Sequence, residues 1–293
     1  MEHLDTDIFL LRGFVRSGTN WLGRIVNLHP DANCQGEFHL YPFKEFYKGY
    51  IKDFKDASCI FQNDKGNILS TELNKFFRGV IRRYADNRKY KLVGNRTPAG
   101  LTDFWLPSAK HLIISRDGRS VVTSWFFHTL KHPTKEINDY PLLLKAYEKY
   151  TENKNFFDNN PELLLRDEKF FKLIVKRWND RVANDKNLTR QSDEGKIPLH
   201  YYWVNYEELH QNVEKGRNEI YTYLGLDPAK ANPLDEGTIP GFTKENNNSN
   251  GKVRARGVVN SWDKYFTDAN HQWFAEVGQQ GLDIHESTKT LIT

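Results

Sequence analysis

Residues 10–26, LLRGFVRSGTNWLGRIV, read as the end of a strand, a glycine-containing turn and the start of a helix. The run from Asp7 to Val15 is short and apolar, as a strand buried on both faces must be. Beyond the turn, Trp21, Leu22, Ile25 and Leu28 recur at helical spacing until Pro30 stops them. Gly13 to Gly18 satisfy the G-x-x-x-x-G half of a phosphate-binding loop, but Thr19 and Asn20 stand where a nucleotide-triphosphate enzyme carries Lys and Ser or Thr. Such a turn still cradles phosphate with backbone N–H groups and a helix N-terminus. It lacks the lysine and the magnesium-binding hydroxyl, and the nearest positive charge is Arg16.

Working outward, the 69–87 segment carries Leu73, Phe76, Phe77, Val80, Ile81 and Tyr84 on one helical face. The segments YKLVGN (90–95) and KHLIIS (110–115) read as buried strands, and RSVVTSWFFHTL (119–130) reads as the helix after the second. The βαβα order implies an α/β fold: a central parallel β-sheet flanked by helices. An aromatic-rich helical insertion occupies about residues 131–188, interrupted at Pro161. LHYYWVN (199–205) returns to strand, and 206–226 reads as one helix closed by Gly225. The polar stretch 242–257, FTKENNNSNGKVRARG, is expected to be a mobile loop. With no break in composition and no internal repeat, residues 1–293 are expected to form a single domain.

At 293 residues with 38% hydrophobic and 14% aromatic side chains, the chain has enough apolar surface for a sizeable core. A formal charge of +4, scattered along the chain, argues against a general nucleic-acid binder and for a small anionic ligand. Cys34 and Cys59 are too few for a disulfide framework or a cysteine metal site. The opening MEHLDTDIFLL is acidic where a signal peptide is basic, and no run approaches the ~20 apolar residues of a membrane span. A cytoplasmic protein with no membrane partner is the expectation.

Three segments resemble the sulfotransferases that use 3′-phosphoadenosine 5′-phosphosulfate (PAPS). VRSGTNWL (15–22) is similar to the family's 5′-phosphosulfate loop, a basic residue followed by Ser-Gly-Thr and often Trp. ISRDGRSVVTSWFFH (114–128) is similar to its 3′-phosphate motif, an Arg at a strand end and a Ser eight residues on. RARGVVNSWDKYFT (254–267) is similar to its C-terminal nucleotide clamp. The segment around Tyr206 also resembles the one that carries the adenine-contacting Tyr, so that the likeness runs from Phe9 to about Trp273.

The resemblance implies that Arg16, Ser17, Gly18, Thr19 and Asn20 hold the 5′ phosphosulfate, with Arg16 at the bridging oxygen. It implies Arg116, Ser124, Arg254, Arg256 and Gly257 at the 3′ phosphate, and Trp21 and Tyr206 at adenine. No metal is expected. The cytosolic members' Thr-His-x-Pro is replaced here by Asn95, Arg96, Thr97 and Pro98, so no histidine base stands in that place. Golgi-type and many bacterial members place a glutamate shortly after the first helix, and Glu37 in CQGEFH matches it. His39 is the second choice, and Arg96 either pairs with Glu37 or lines the acceptor pocket.

The implied activity is transfer of a sulfuryl group to a hydroxyl or to an amine or amide nitrogen of a small-molecule acceptor. Two other readings stay open: a small-molecule kinase using ATP and magnesium, disfavoured by Thr19 and Asn20, and a non-catalytic nucleotide-binding module.

Overall fold

A computed structural model describes residues 7–37, 67–84, 89–97, 109–235, 238 and 260–289. Its strands are β1 (Asp7–Arg12), β2 (Ala32–Glu37), β3 (Leu92–Arg96), β4 (Lys110–Ser115) and β5 (His200–Asn205). They form one sheet in the order β2-β3-β1-β4-β5, every pairing parallel. The chain passes from central β1 to edge strand β2, back to β3, and then across to β4. The C-terminal ends of β1 and β4 therefore flank the point where the winding reverses, the place where open α/β sheets leave a crevice for ligands.

The helices are α1 (Thr19–Val26), α2 (Asn67–Tyr84), α3 (Gly118–Lys131), α4 (Pro141–Glu152), α5 (Phe156–Asn159), α6 (Glu168–Asp193), α7 (Tyr206–Gln211), α8 (Val213–Leu224) and α9 (Asp268–Ser287). Alternation along the strands decides which helix each side chain meets. Phe9 and Leu11 of β1 and Leu112 and Ile114 of β4 join Leu22 and Ile25 of α1 and Leu209, Ile220 and Leu224 of α7 and α8 in one core. Arg12 and Ser115, one position on, turn to the other face and reach Asp185 of α6 and His285 of α9. On that side Val121 and Phe126 of α3, Leu143 of α4, Phe171, Ile174 and Trp178 of α6 and Phe274 of α9 form a second, ring-rich core.

The structure departs from the sequence reading in three places. The expected single helix over 206–226 is two, because Asn212 leaves helical geometry and its side chain accepts the Lys215 N–H to start α8. β2 was not foreseen: ANCQGE is largely polar, pairs among the described residues with β3 alone and shifts register between Cys34 and Glu37, as an edge strand can. α9 was not foreseen either, and it contains two residues of low helix propensity, Gly278 and Gly281. Both allow close approach of α6: a Cβ on Gly278 would stand 2.5 Å from Val175 and one on Gly281 2.8 Å from Trp178. A capping box of Thr267 and Asn270 starts the helix. The expected mobile loop at 242–257 lies outside the described residues.

Candidate active site

The turn between β1 and α1 is held open by its backbone. Arg16 has φ 73° and Gly18 φ 94°, both left-handed, and the Ser17 N–H donates to the Phe14 carbonyl at 3.0 Å. Only glycine fits at 18, because a Cβ there would lie 2.7 Å from the Tyr206 ring. Helix α1 starts at Thr19 after Gly18, and among the described residues no side chain caps its first amides, whereas α3 is capped by Asp117 and α7 by Asn205. Free N–H groups and the positive end of the helix dipole thus face the crevice.

Side chains from β4 and α3 close on the same point. The Arg16 guanidinium donates through Nε to Ser124 Oγ at 3.2 Å. Arg116, the first residue after β4, donates from Nη1 to the Arg16 carbonyl at 3.2 Å. Its guanidinium carbon lies 4.3 Å from the centre of the Tyr206 ring, a cation–π contact. Trp21 completes the row, 5.3 Å from Tyr206 at an edge-on angle, with its indole N–H donating to the Thr238 carbonyl at 2.9 Å.

The electrostatics are one-sided. Burial lowers the Arg16 pKa from its usual value, and the charge of Arg116 lowers it further. Asp117 gives Arg116 no relief, since it is taken by Arg119 at 2.6 Å. Among the described residues, neither Arg16 nor Arg116 has an acidic partner. Two adjoining guanidiniums, a hydroxyl and uncapped amides suit an anion chemically.

The other expected residues divide. Asn20 accepts a hydrogen bond from Arg96 Nη1, and Arg96 Nε donates to the Gly36 carbonyl at 3.1 Å. Arg96 therefore does not pair with Glu37, which stands exposed at the end of β2 beside Arg96 in register. His39, Arg254, Arg256 and Gly257 lie outside the described residues. The structure thus brings together Arg16, Ser17, Gly18, Trp21, Arg116, Ser124 and Tyr206 from four elements, and ties Asn20 through Arg96 to the strand that ends in Glu37.

Two residues were missed by the sequence reading. His128 lies one helical turn beyond Ser124; burial lowers its pKa below the usual histidine value, and Arg16, His132 and Lys131 add to that. The i, i+4 spacing from Ser124 was the available signal. His210 has its ring 6.1 Å from both Trp21 and Tyr206, one turn beyond Tyr206.

Fold and site together define a parallel α/β protein with a glycine-containing turn and two adjoining guanidiniums at the carboxyl ends of its strands. Comparison with known proteins makes this more specific. The profile of the sulfotransferase domain matches residues 5–285, and the chain belongs to that family. A putative protein-tyrosine sulfotransferase of Caenorhabditis briggsae is 27% identical over 125 residues, covering 40% of this chain and 42% of that protein. Protein-tyrosine sulfotransferase 1 of Mus musculus is 22% identical over 210 residues, covering 64% of this chain and 56% of that protein. The match thus spans about half the length of these curated relatives. Among solved structures, mouse sulfotransferase SULT7A1 complexed with PAP superposes with a TM-score of 0.51 at 16% identity, covering 97% of this chain and 88% of that one. At that identity the likeness speaks for the fold. Among the described residues, no helix is long and apolar enough to cross a membrane, and no cluster of three or more His, Cys, Asp or Glu side chains could hold a metal ion.

Proposed function

We propose that the chain is an enzyme that moves the sulfuryl group of PAPS to a hydroxyl or nitrogen acceptor. The observation that carries this reading is the meeting of Arg16, Arg116 and Ser124, without acidic partners among the described residues, beside the uncapped start of α1. A donor with two phosphate groups needs two anion contacts and a ring surface for its base. The guanidiniums of Arg16 and Arg116, the Gly18 to Asn20 amides and the Trp21–Tyr206 pair supply these. Arg254, Arg256 and Gly257 belong to the same proposal as the clamp on the 3′ phosphate.

The donor supplies a sulfur bound to a good leaving group, the 5′ phosphate. The chain's own task is positioning and charge stabilisation. Arg16, half-withdrawn from water and crowded by Arg116, is poised to stabilise negative charge on the leaving oxygen. Arg116 and Ser124 fix the 3′ phosphate, and Trp21 and Tyr206 fix the base. Glu37, with His39 as the second choice, takes the acceptor's proton.

A small molecule is the acceptor first proposed, with the 131–188 insertion as a wall of its pocket. The names of the curated relatives favour a second reading, a tyrosine hydroxyl of a peptide. The cytoplasmic setting expected above stays part of this proposal and is read by fractionating cells that express the chain. The enzyme assignment is tested by incubating the protein with sulfur-labelled PAPS and panels of phenols, alcohols, amines and tyrosine peptides. A labelled product from one class identifies the acceptor. Donor binding with no transfer to any class would favour the binding-module reading.

A further inference from the structure

Beneath the candidate site, on the α9 side of the sheet, His285 joins two strand ends through both of its ring nitrogens. Nδ1 lies 2.9 Å from Ser115 Oγ, and Nε2 lies 3.3 Å from Glu207 Oε2. Glu207 Oε1 in turn accepts the Asp117 N–H at 3.3 Å. The three side chains are buried, with Ser115 2%, His285 1% and Glu207 8% exposed. The Ser115 hydroxyl and Nδ1 are hydrogen-bonded, whereas Nε2 stands within ion-pair distance of a carboxylate oxygen, Glu207 Oε2, that makes no hydrogen bond of its own among the described residues, so the imidazole is the polar group closest to satisfying it.

The bridge matters for where it is anchored. Ser115 is the last residue of β4 and immediately precedes Arg116; Glu207 immediately follows Tyr206. Ser115 and Asn205 are register partners across β4 and β5, so His285 spans the same two strand ends that the Arg116–Tyr206 contact spans on the crevice side. Asn205 fastens α9 in place, its Nδ2 3.2 Å from Thr288 Oγ1 and 3.4 Å from the His285 carbonyl.

We infer that His285, acting through Ser115 and Glu207, is a positioning residue for the nucleotide site: it sets the Arg116 guanidinium against the Tyr206 ring at the separation the 3′ phosphate and base require. This rests on the donor reading proposed above. A cavity of about 440 Å³ lined in part by Asp117, Glu207, His285 and Lys289 borders the bridge. Loss of the imidazole therefore leaves room for water at Glu207, and folded variants are expected.

The test is calorimetry on the full chain with two probes, adenosine 3′,5′-bisphosphate and AMP, alongside thermal melting. In H285L, bisphosphate affinity is expected to fall about tenfold or more with a smaller change for AMP, because misplacing a preorganised contact costs the group it serves. H285Q, which keeps a polar group between Ser115 and Glu207, recovers part of the loss. S115A cuts the bridge at a single hydroxyl beside Arg116 and compresses the same ratio; it carries the test should H285L fail to fold. Variants with a lowered melting temperature but the wild-type ratio between the two nucleotides would overturn the positioning role and leave only a structural one. A wild-type protein that does not distinguish the two nucleotides would instead overturn the donor reading on which the inference rests.

Discussion

Arg116 donates to the backbone carbonyl of Arg16 at 3.2 Å, and so carries a second guanidinium to the loop that already holds one. Like charges are brought together only when folding elsewhere pays for it, and an incoming anion relieves the repulsion. Arg16→Ala is expected to depress kcat more than donor affinity, because negative charge on the leaving oxygen grows as the bond breaks. Arg16→Lys should recover part of the rate through a point charge. Steady-state rates with donor affinities measured separately check this. An alanine variant that loses affinity alone would make Arg16 a ground-state contact.

His128 gives a pH signature for the same anion. Its pKa is held down by burial first and by Arg16 next. A histidine lowered in the folded state costs stability as pH falls from its unfolded value near 6.5. An anion at Arg16 and Ser124 offsets that field and raises the His128 pKa toward normal. Binding of adenosine 3′,5′-bisphosphate below pH 6.5 is therefore expected to add a proton uptake by His128 to the protons that the ligand's own phosphates, with a second pKa of about 6, release. The buffer-dependent heat in calorimetry should accordingly shift toward proton release in His128→Gln, and an unchanged dependence would separate His128 from the anion.

Glu37→Gln should leave nucleotide binding nearly intact while lowering kcat by about 10²-fold or more, the usual contribution of a general base. Rates within a few-fold of wild type would pass the role to His39, tested by His39→Ala.

Arg12 and Asp185 join the foot of the phosphate loop to α6. Their 2.7 Å ion pair is almost wholly buried, and Arg181 shares the carboxylate at 3.1 Å. Burial pushes the Arg12 pKa down to about 10 even so. Asp185→Ala leaves a buried guanidinium without its main counter-charge and is expected to cost about 3–5 kcal/mol of stability. Chemical denaturation measures it; a loss under 1 kcal/mol would show that water or another group takes the place of Asp185.

Much of this was legible in the sequence because local pattern and tertiary role agree. The β1 run is apolar throughout since both its faces are covered, and the turn after it carries its glycine where φ must be positive. Arg116 and Ser124 were singled out by the resemblance of residues 114–128 to the family's 3′-phosphate motif, and they lie on neighbouring elements at one strand end. What stayed hidden depends on contacts between distant segments. The α9 glycines signal a break locally and serve close packing globally. The Ser115–His285–Glu207 bridge joins residues 78 to 170 positions apart with no periodicity to betray it. Asp117 follows Arg116 directly yet is claimed by Arg119 two residues on, which only side-chain geometry decides.

The central claim is that this site holds a nucleotide by its 3′ phosphate, and Arg116→Ala tests it most directly. Calorimetry with adenosine 3′,5′-bisphosphate and with AMP, in the presence of a chelator, gives the affinity ratio for wild type and variant. Charge-assisted contacts of about 1.5–3 kcal/mol each predict a wild-type preference for the bisphosphate of at least about a hundredfold from two such contacts. Arg116→Ala should erase most of it. Equal affinities in the wild-type protein, or binding that demands magnesium, would contradict the account and return the kinase reading.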